Sequence, residues 1–586
     1  MKKKIEIIKN MIKIVYRSNP STFWYATCVC IITYLTVPIS SQLYYKVLAL
    51  VEKHSSIVDF PILKCVLLLI GIVMIAGIER VTGYSNILLF EKMQVKVGVN
   101  LLKRVYIRTE KVAHSFFDVP ENASKIERIA LYAQDSILTQ NTVHLLEVIA
   151  RIISITIYIP VLAKVGWEYF FVIIIISLIG NSLNFNEGYQ RWEFNKSLEK
   201  GKRRLSEIKG YFGSKDVVME TKMNQCTDFI KNEWLESEKK VQGKVLEFEK
   251  EIQRQKLKCG MLQVLLDILP LVLVSIMMMN GKLGFSVAYL IWQTQMQMDG
   301  LVSGAISEWR STYFSLGYID EMFDYITSGN EIEMKDINTS SQLSFDLNNV
   351  SFGYQEGEKV LCDISLNVKD GEKVALVGVN GSGKSSLVKL MTGLYSPTEG
   401  KIKYYDQEMK DIYLKYMRKT MGAVWQEYTN FELTVRESIG FGDLTMLTDD
   451  NEVENVIRSI NLEHELSLDT VLGRSFDEDG VILSGGQWQR LAIGRAIFGK
   501  KSCIFMDEPT ASLDPIAEVE IFNEVKRLFQ NKTAVFVSHR IGFARLADRI
   551  IVMNHGSIVE EGTHDELVLK KGLYSRLYQS QAQWYI

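Results

Sequence analysis

Lys373-Val374-Ala375-Leu376-Val377-Gly378-Val379-Asn380-Gly381-Ser382-Gly383-Lys384-Ser385-Ser386 is the stretch on which the second half of the chain turns. Residues 373–378 read as a buried strand. They run straight into a GxxxxGK[ST] loop that opens a helix. Glycines at 378, 381 and 383 let backbone N–H groups turn inward around phosphate, and the helix N-terminus adds favourable partial charge. In this pattern Lys384 reaches the β- and γ-phosphates of a nucleoside triphosphate, and the Ser385 hydroxyl ligates Mg²⁺. Asn380, Ser382 and Ser386 complete the loop.

Further along, Cys503-Ile504-Phe505-Met506 reads as an apolar strand ending in Asp507-Glu508. A carboxylate at a strand end holds Mg²⁺, and its neighbour polarises an attacking water. Placed after a phosphate loop, the two acids point to a triphosphatase. Between loop and acids lies Leu483-Ser484-Gly485-Gly486-Gln487. This pentapeptide resembles the signature of the ABC family, and other family elements occur in order. Tyr354 (in FGY) resembles the aromatic that stacks on adenine. Gln426 resembles the Q-loop residue that meets Mg²⁺, Asp514 (in SLD) the D-loop aspartate, and His539 (in VSHR) the switch histidine. Glu478 resembles an exporter residue that meets cytoplasmic loops, although FDEDG departs from the commoner GERG. The resemblance implies that Ser484 and the glycine N–H groups cap the γ-phosphate bound to the opposite subunit. ATP then becomes part of a dimer interface. With Glu508, the signature and His539 all intact, a homodimer is expected.

The 586 residues are too many for one core. A 47% hydrophobic content beside 23% charged residues suits an apolar half joined to a charged half. A net charge of −2 gives no sign of a nucleic-acid partner. The seven cysteines form neither a CxxC pair nor a Cys/His cluster at metal spacing, so reduced thiols are expected.

In the first half, apolar stretches long enough to span a bilayer fall at 22–45, 61–83, 136–164, 166–185, 259–280 and 285–305. Before them, Lys2, Lys3 and Lys4 lead into Ile5, Ile8, Ile12 and Val15 at helical spacing, with Lys9, Lys13 and Arg17 on another face. Such a basic amphipathic helix suits the surface of an anionic leaflet. The long loops 88–130 and 189–258 are rich in Lys and Arg, whereas the short links are not. Basic segments stay inside, so both termini and both long loops are expected in the cytoplasm of a plasma-membrane protein. The charged faces of those loops predict that the spanning helices continue below the membrane. Their tips, near 120–126 after Phe116-Phe117-Asp118 and near 216–223, are expected to touch a cytoplasmic domain.

The fold expected is thus an all-α transmembrane domain of six helices over 1–326, a linker over 327–342, and an α/β P-loop ABC nucleotide-binding domain over 343–586. The whole resembles bacterial exporters of the type IV ABC fold. Trp488 in SGGQWQR, the run Trp425-Gln426-Glu427, the segment 431–437 and the segment 513–518 resemble transporters of lantibiotics and related peptides. The resemblance implies ATP and Mg²⁺ as cofactors, membrane lipid as surroundings, and a peptide cargo. A lipid or multidrug exporter is the alternative. No cysteine-peptidase domain precedes the first span, so export without leader cleavage is expected. Intramembrane Glu147 and Arg151 sit four apart and suit a pair. Gln263, Asp267, Gln293, Gln295, Gln297 and Asp299 suit either a water-filled cavity or bonds between helices.

Overall fold

The structure, a computed structural model, describes residues 2–54, 60–162, 175, 187–281, 283–327, 343–355, 357–411, 414–508, 527, 529, 532–538, 544, 545 and 547–582. The chain divides into two compact units. One is Met1–Lys111 with Ala123–Ser328, and the other is Val112–Asn122 with Gly329–Ile586.

The helical unit contains α1 (Lys2–Ser18), α2 (Pro20–Lys53), α3 (Ile62–Lys111), α4 (Pro120–Gln134), α5 (Ile137–Leu162), α6 (Glu187–Gly213), α7 (Lys215–Met223), α8 (Thr227–Met279) and α9 (Phe285–Thr327), the first residues of α4 lying in the other unit. Among the described residues, α2, α3, α5 and α8 are long and apolar enough to cross a membrane. The stretch expected to span at 166–185 lies outside the described residues. The stretch at 285–305 is helical within α9, yet its inward face carries Thr294 and Gln295 as well as Met298 and Leu301. Gln293, Gln295, Gln297 and Asp299 lower the mean hydropathy of this stretch and keep α9 out of the apolar four.

With 50 residues in α3 and 53 in α8, these helices extend about 75–80 Å at 1.5 Å per residue, against a hydrocarbon core of about 30 Å. They therefore continue well past the membrane, as the charge pattern predicts. The α3 extension buries Met93, Val97, Leu101 and Val105, a stripe at every fourth residue. Gly98 sits beside that stripe where a Cβ would lie 3.0 Å from the Gln134 carbonyl oxygen and 3.2 Å from that of Ala133. In the apolar segments of α3 and α8, by contrast, Leu63, Leu67, Val73, Val264, Leu265 and Val272 are exposed, as lipid-facing residues are. Proline at 38 and 270 falls inside α2 and α8, which membrane helices tolerate.

The N-terminal segment departs from its expected orientation. Helix α1 forms, but the residues it buries are Ile7, Met11 and Val15, while Ile5 stays exposed. Lys3 pairs with Asp320 at 2.7 Å, and the Lys4 ammonium lies 3.7 Å from the Tyr313 ring centroid. The helix thus packs its apolar stripe into the unit and docks its basic end on α9.

The polar residues within the spans largely bond to one another. Arg151 lies 3.6 Å from Glu147, donates to the Gly300 carbonyl at 3.2 Å, and sits 4.8 Å from the Tyr34 ring centroid. His144 pairs with Glu308. Gln263 donates to Asp299 at 3.2 Å, and Gln297 accepts from both Ser41 and Tyr158. For these residues the interhelical bond is the arrangement observed. The Asp267 side chain lies outside the described residues.

The second unit carries two sheets. A four-stranded antiparallel sheet has the order β2-β1-β4-β5, built from β1 (Leu343–Phe352), β2 (Leu361–Lys369), β4 (Glu399–Tyr404) and β5 (Gln407–Glu408). A six-stranded sheet has the order β10-β9-β3-β8-β7-β6, from β3 (Lys373–Gly378), β6 (Met421–Val424), β7 (Cys503–Asp507), β8 (Thr533–Val537), β9 (Arg549–Asn554) and β10 (Ser557–Gly562). Only β10 is antiparallel in it. Every residue of β7 and β8 is buried, as expected of parallel strands covered on both faces. The second sheet brings the carboxyl ends of β3 and β7 to one edge, one strand apart, where open α/β sheets place ligands. A separate apolar cluster joins α11 (Val435–Gly440), α12 (Asp450–Ser459) and α13 (Gly485–Ile497) through Ile439, Ile457, Leu491 and Ala496.

Candidate functional site

The glycine loop leaves β3 between tight walls. A Cβ on Gly378 would lie 2.2 Å from the Met553 carbonyl oxygen, so no side chain fits there. Gly383, with φ at +96°, adopts a left-handed backbone and approaches Leu361 closely, where a Cβ would be 2.6 Å from Cδ2. From this turn α10 (Lys384–Met391) begins. Asn380 and Gly381 are exposed at the loop crest, whereas Ser382 and Ser386 are buried.

Lys384 is only 5% exposed and folds back into the loop. Its Nζ donates to the carbonyl oxygens of Gly378 and Val379 at 3.1 Å each, with Ser382 Oγ at 3.5 Å. Burial lowers its pKa, against the opposing pull of Glu508 and Asp507. The ammonium therefore already sits inside the ring of backbone that a phosphate chain would enter.

Ser385 Oγ donates to Asp507 Oδ1 at 3.2 Å. Asp507 is 4% exposed, and burial raises its pKa, with Ser385 opposing and the Glu508 charge reinforcing. A hydroxyl beside a carboxylate is a hard oxygen donor set of the kind Mg²⁺ takes. Among the described residues no group of three or more His, Cys, Asp or Glu is arranged to hold a metal. An ion here would complete its shell with phosphate and water oxygens. Glu508, at the end of β7, is held at φ +49°, and its N–H donates to the Val537 carbonyl at 3.0 Å. A left-handed conformation is unfavourable for a residue with a side chain and recurs at functional sites. Gln426 is exposed just past β6, the strand beside β7.

Tyr354 is 42% exposed, and its hydroxyl is 3.0 Å from Ser386 Oγ, so an aromatic face stands beside the first turn of α10. The signature forms a second helix start. Ser484 caps α13 in a capping box, accepting from the Gln487 N–H at 3.3 Å while Gln487 Oε1 accepts from the Ser484 N–H at 2.7 Å. Buried Leu483 anchors this turn, Ser484 and Gly485 face solvent, and Tyr428 donates to the Gly485 carbonyl at 3.0 Å. Gly486 follows in the first turn.

The structure thus joins Lys384, Ser385 and Asp507 in one bonded cluster and sets Tyr354 against Ser386. Ser484, Gly485, Gly486 and Gln487 stand on a different helix. Among the described residues no hydrogen bond links them to the loop. Asp514 and His539 lie outside the described residues.

Sequence reasoning passed over Tyr395. Its hydroxyl donates to both carboxylate oxygens of Asp118 at 2.9 Å. Burial first, then that carboxylate, push its pKa above the usual tyrosine range. Asp118 belongs to Val112–Asn122, which clusters with this unit although its neighbours in sequence are helices of the other. The contact expected near 120–126 is thus observed just before that range, at Asp118 and His114. The only signal for Tyr395 was an aromatic just after the phosphate-loop helix, which pattern alone does not distinguish from a core residue.

The chain's similarities follow this geometry. The family described as ABC transporter matches residues 361–511. The subtilin transport ATP-binding protein SpaT of Bacillus subtilis is 31% identical over 532 residues, covering 84% of this chain and 81% of that protein. The nisin transport ATP-binding protein NisT of Lactococcus lactis subsp. lactis is 39% identical over 239 residues, 40% of each chain. Among solved structures, a bacterial Atm1-family ABC exporter with ATP bound superposes with a TM-score of 0.83 at 19% identity, covering 97% of this chain and 100% of that one. The likeness to SpaT runs through the helical unit as well as the sheet-bearing one. The chain therefore belongs to the ABC transporters, as a membrane-embedded exporter whose nucleotide-binding domain hydrolyses ATP to drive transport.

Proposed function

We propose that this exporter moves a lantibiotic- or bacteriocin-like peptide out of the cytoplasm, and that two copies work together with ATP held between them. The observation that carries the cargo reading is the alignment with the subtilin transporter, which extends over 84% of the chain and so includes the cargo-handling helices. Residues 1–326 form the transmembrane domain, 327–342 the linker and 343–586 the nucleotide-binding domain, with both termini cytoplasmic.

In this reading Tyr354 stacks on adenine, while Lys384 and the N–H groups of Gly378, Asn380, Gly381, Ser382, Gly383, Ser385 and Ser386 hold the phosphates. Ser385, Asp507 and Gln426 would hold Mg²⁺, which when bound neutralises charge on the phosphate oxygens. Glu508 polarises the attacking water, and the left-handed turn at its α-carbon sets where its carboxylate points. His539 and Asp514 are assigned switch and D-loop roles by resemblance alone. Ser484, Gly485, Gly486 and Gln487 of one copy cap the γ-phosphate held by the other. That division is carried over from the family resemblance, and the signature standing on its own helix start is compatible with it. Hydrolysis removes the shared γ-phosphate and loosens the pair, which lets the helices alternate their access.

The test is ATP hydrolysis by the full chain in lipid vesicles. A leader-bearing lantibiotic precursor should raise the rate several-fold and accumulate inside inverted vesicles. Stimulation by lipid alone, with no peptide uptake, would replace the peptide reading with a lipid exporter.

A further inference from the structure

One aromatic side chain stands between the loop tip and Tyr354. Tyr395 is 8% exposed, and its side chain meets residues of both the loop tip and β1. Its hydroxyl is pinned by both oxygens of Asp118 at 2.9 Å. Its ring meets His114 edge-on at 5.4 Å, Phe352 at 5.4 Å, and Tyr354 at 5.3 Å with the planes 88° apart. Tyr354 is also met by Phe352 at 5.0 Å, by the Lys389 ammonium 5.6 Å from its ring centroid, and by the bond between its hydroxyl and Ser386.

From this geometry we infer that Tyr395 is a positioning residue for the base-stacking Tyr354, and that Asp118 sets its pose from the loop tip. Through this pair the affinity for ATP depends on where the segment Val112–Asn122 sits. The inference rests on the reading of Tyr354 as the adenine platform.

Three considerations support it. A half-exposed tyrosine binds a base well only if its ring is already in place, because ordering it on binding costs affinity. Edge-to-face packing on Tyr395 supplies that order. The pose of Tyr395 is in turn fixed by a charge-assisted bond that an acceptor outside β1–β10 provides. Segment 112–122 is continuous in sequence with α3 on one side and α4 on the other. A helix movement that displaces Asp118 therefore releases Tyr395 and loosens Tyr354. By reciprocity, adenine seated on Tyr354 favours the loop tip in its docked place.

The experiment uses the full chain in vesicles and measures KM and kcat for ATP, alongside KM for inorganic tripolyphosphate, which carries no base. Tyr395→Phe keeps the ring and deletes the hydroxyl, and Asp118→Ala deletes the acceptor. Each should raise KM for ATP about fivefold, within the range of a typical coupling, and leave KM for tripolyphosphate unchanged. The double variant should be no worse than either single one, since both cut the same bond. Asp118→Asn retains an oxygen that accepts from Tyr395 and should restore most of the affinity. Additive effects, an equal rise for tripolyphosphate, or unaltered KM for ATP in both single variants would overturn the proposal. Unfolding midpoints matched to the parent exclude a folding defect, and a variant that fails this check is replaced by Tyr395→Trp, which must then show the same base-dependent split. Failure here leaves ATP turnover by the parent intact. Failure of the ATP-site reading would instead show as undiminished turnover in Glu508→Gln.

Discussion

Replacing Glu508 separates catalysis from stability at a single position. Glu508→Gln preserves shape and the N–H bond to Val537, yet removes the carboxylate proposed to polarise water. General-base assistance is worth about 10²–10⁴-fold, so kcat should fall by that factor, a barrier increase of about 3–5 kcal/mol. Glu508→Gly should be equally inactive but more stable. The backbone there is left-handed, at φ +49°, which costs a residue with a Cβ about 1–2 kcal/mol. Glycine avoids that cost but forfeits about 0.5–1 kcal/mol through its freer unfolded chain. The balance is a gain of about 0.5–1 kcal/mol, or about 1–4 °C in the unfolding midpoint of a unit this size. Phosphate release and thermal unfolding of nucleotide-free protein, measured on the same preparations, supply both numbers. A Gln variant hydrolysing ATP at more than about a tenth of the parental rate would falsify the catalytic assignment. A Gly variant less stable than the parent would refute the strain account.

Asp507 supplies a second prediction. Burial raises its pKa, so between its unfolded and folded values the native chain binds the extra proton, and stability falls as pH rises through that window. Asp507→Asn still accepts from Ser385 and should raise the midpoint of nucleotide-free protein at pH 7 by about 2–4 °C, the effect of about 1 kcal/mol. The gain should shrink as pH falls toward 4, while Mg²⁺-dependent turnover is lost; a pH-independent gain would remove buried charge as its cause. In the helical unit, Gly98→Leu forces a side chain against the carbonyls of Ala133 and Gln134 and should cost about 1–3 kcal/mol. Gly83→Leu, on the same helix with nothing within 4 Å of its Cβ, should be silent, and equal thermal losses for both would refute the close approach.

Local chemistry made the nucleotide-binding unit readable. The strands at 373–378 and 503–507 announce themselves as continuous apolar runs, and the loop between Gly378 and Ser385 carries its own turn glycines. Ser484 and Gln487 signal a capping box three residues apart, and the helix begins where they say. Hydropathy placed spans in α2, α3, α5, α8 and α9, although Gln293, Gln295, Gln297 and Asp299 dilute the apolar signal of the last. In α1 the choice between a face led by Ile5 and one led by Ile7 depends on what lies opposite, which no local window contains. The same holds for Asp118 and Tyr395. They lie 277 residues apart, and nothing near either in sequence names the other.

Because Val112–Asn122 folds with the second unit, the polypeptide passes from one unit to the other three times rather than once. Severing the chain at residue 329 removes the segment that carries Asp118 from this unit. The remaining fragment would retain every phosphate-loop residue yet present the Tyr395 hydroxyl to water with its carboxylate gone. On the positioning role inferred for Tyr395, such a fragment binds ATP more weakly than the full protein.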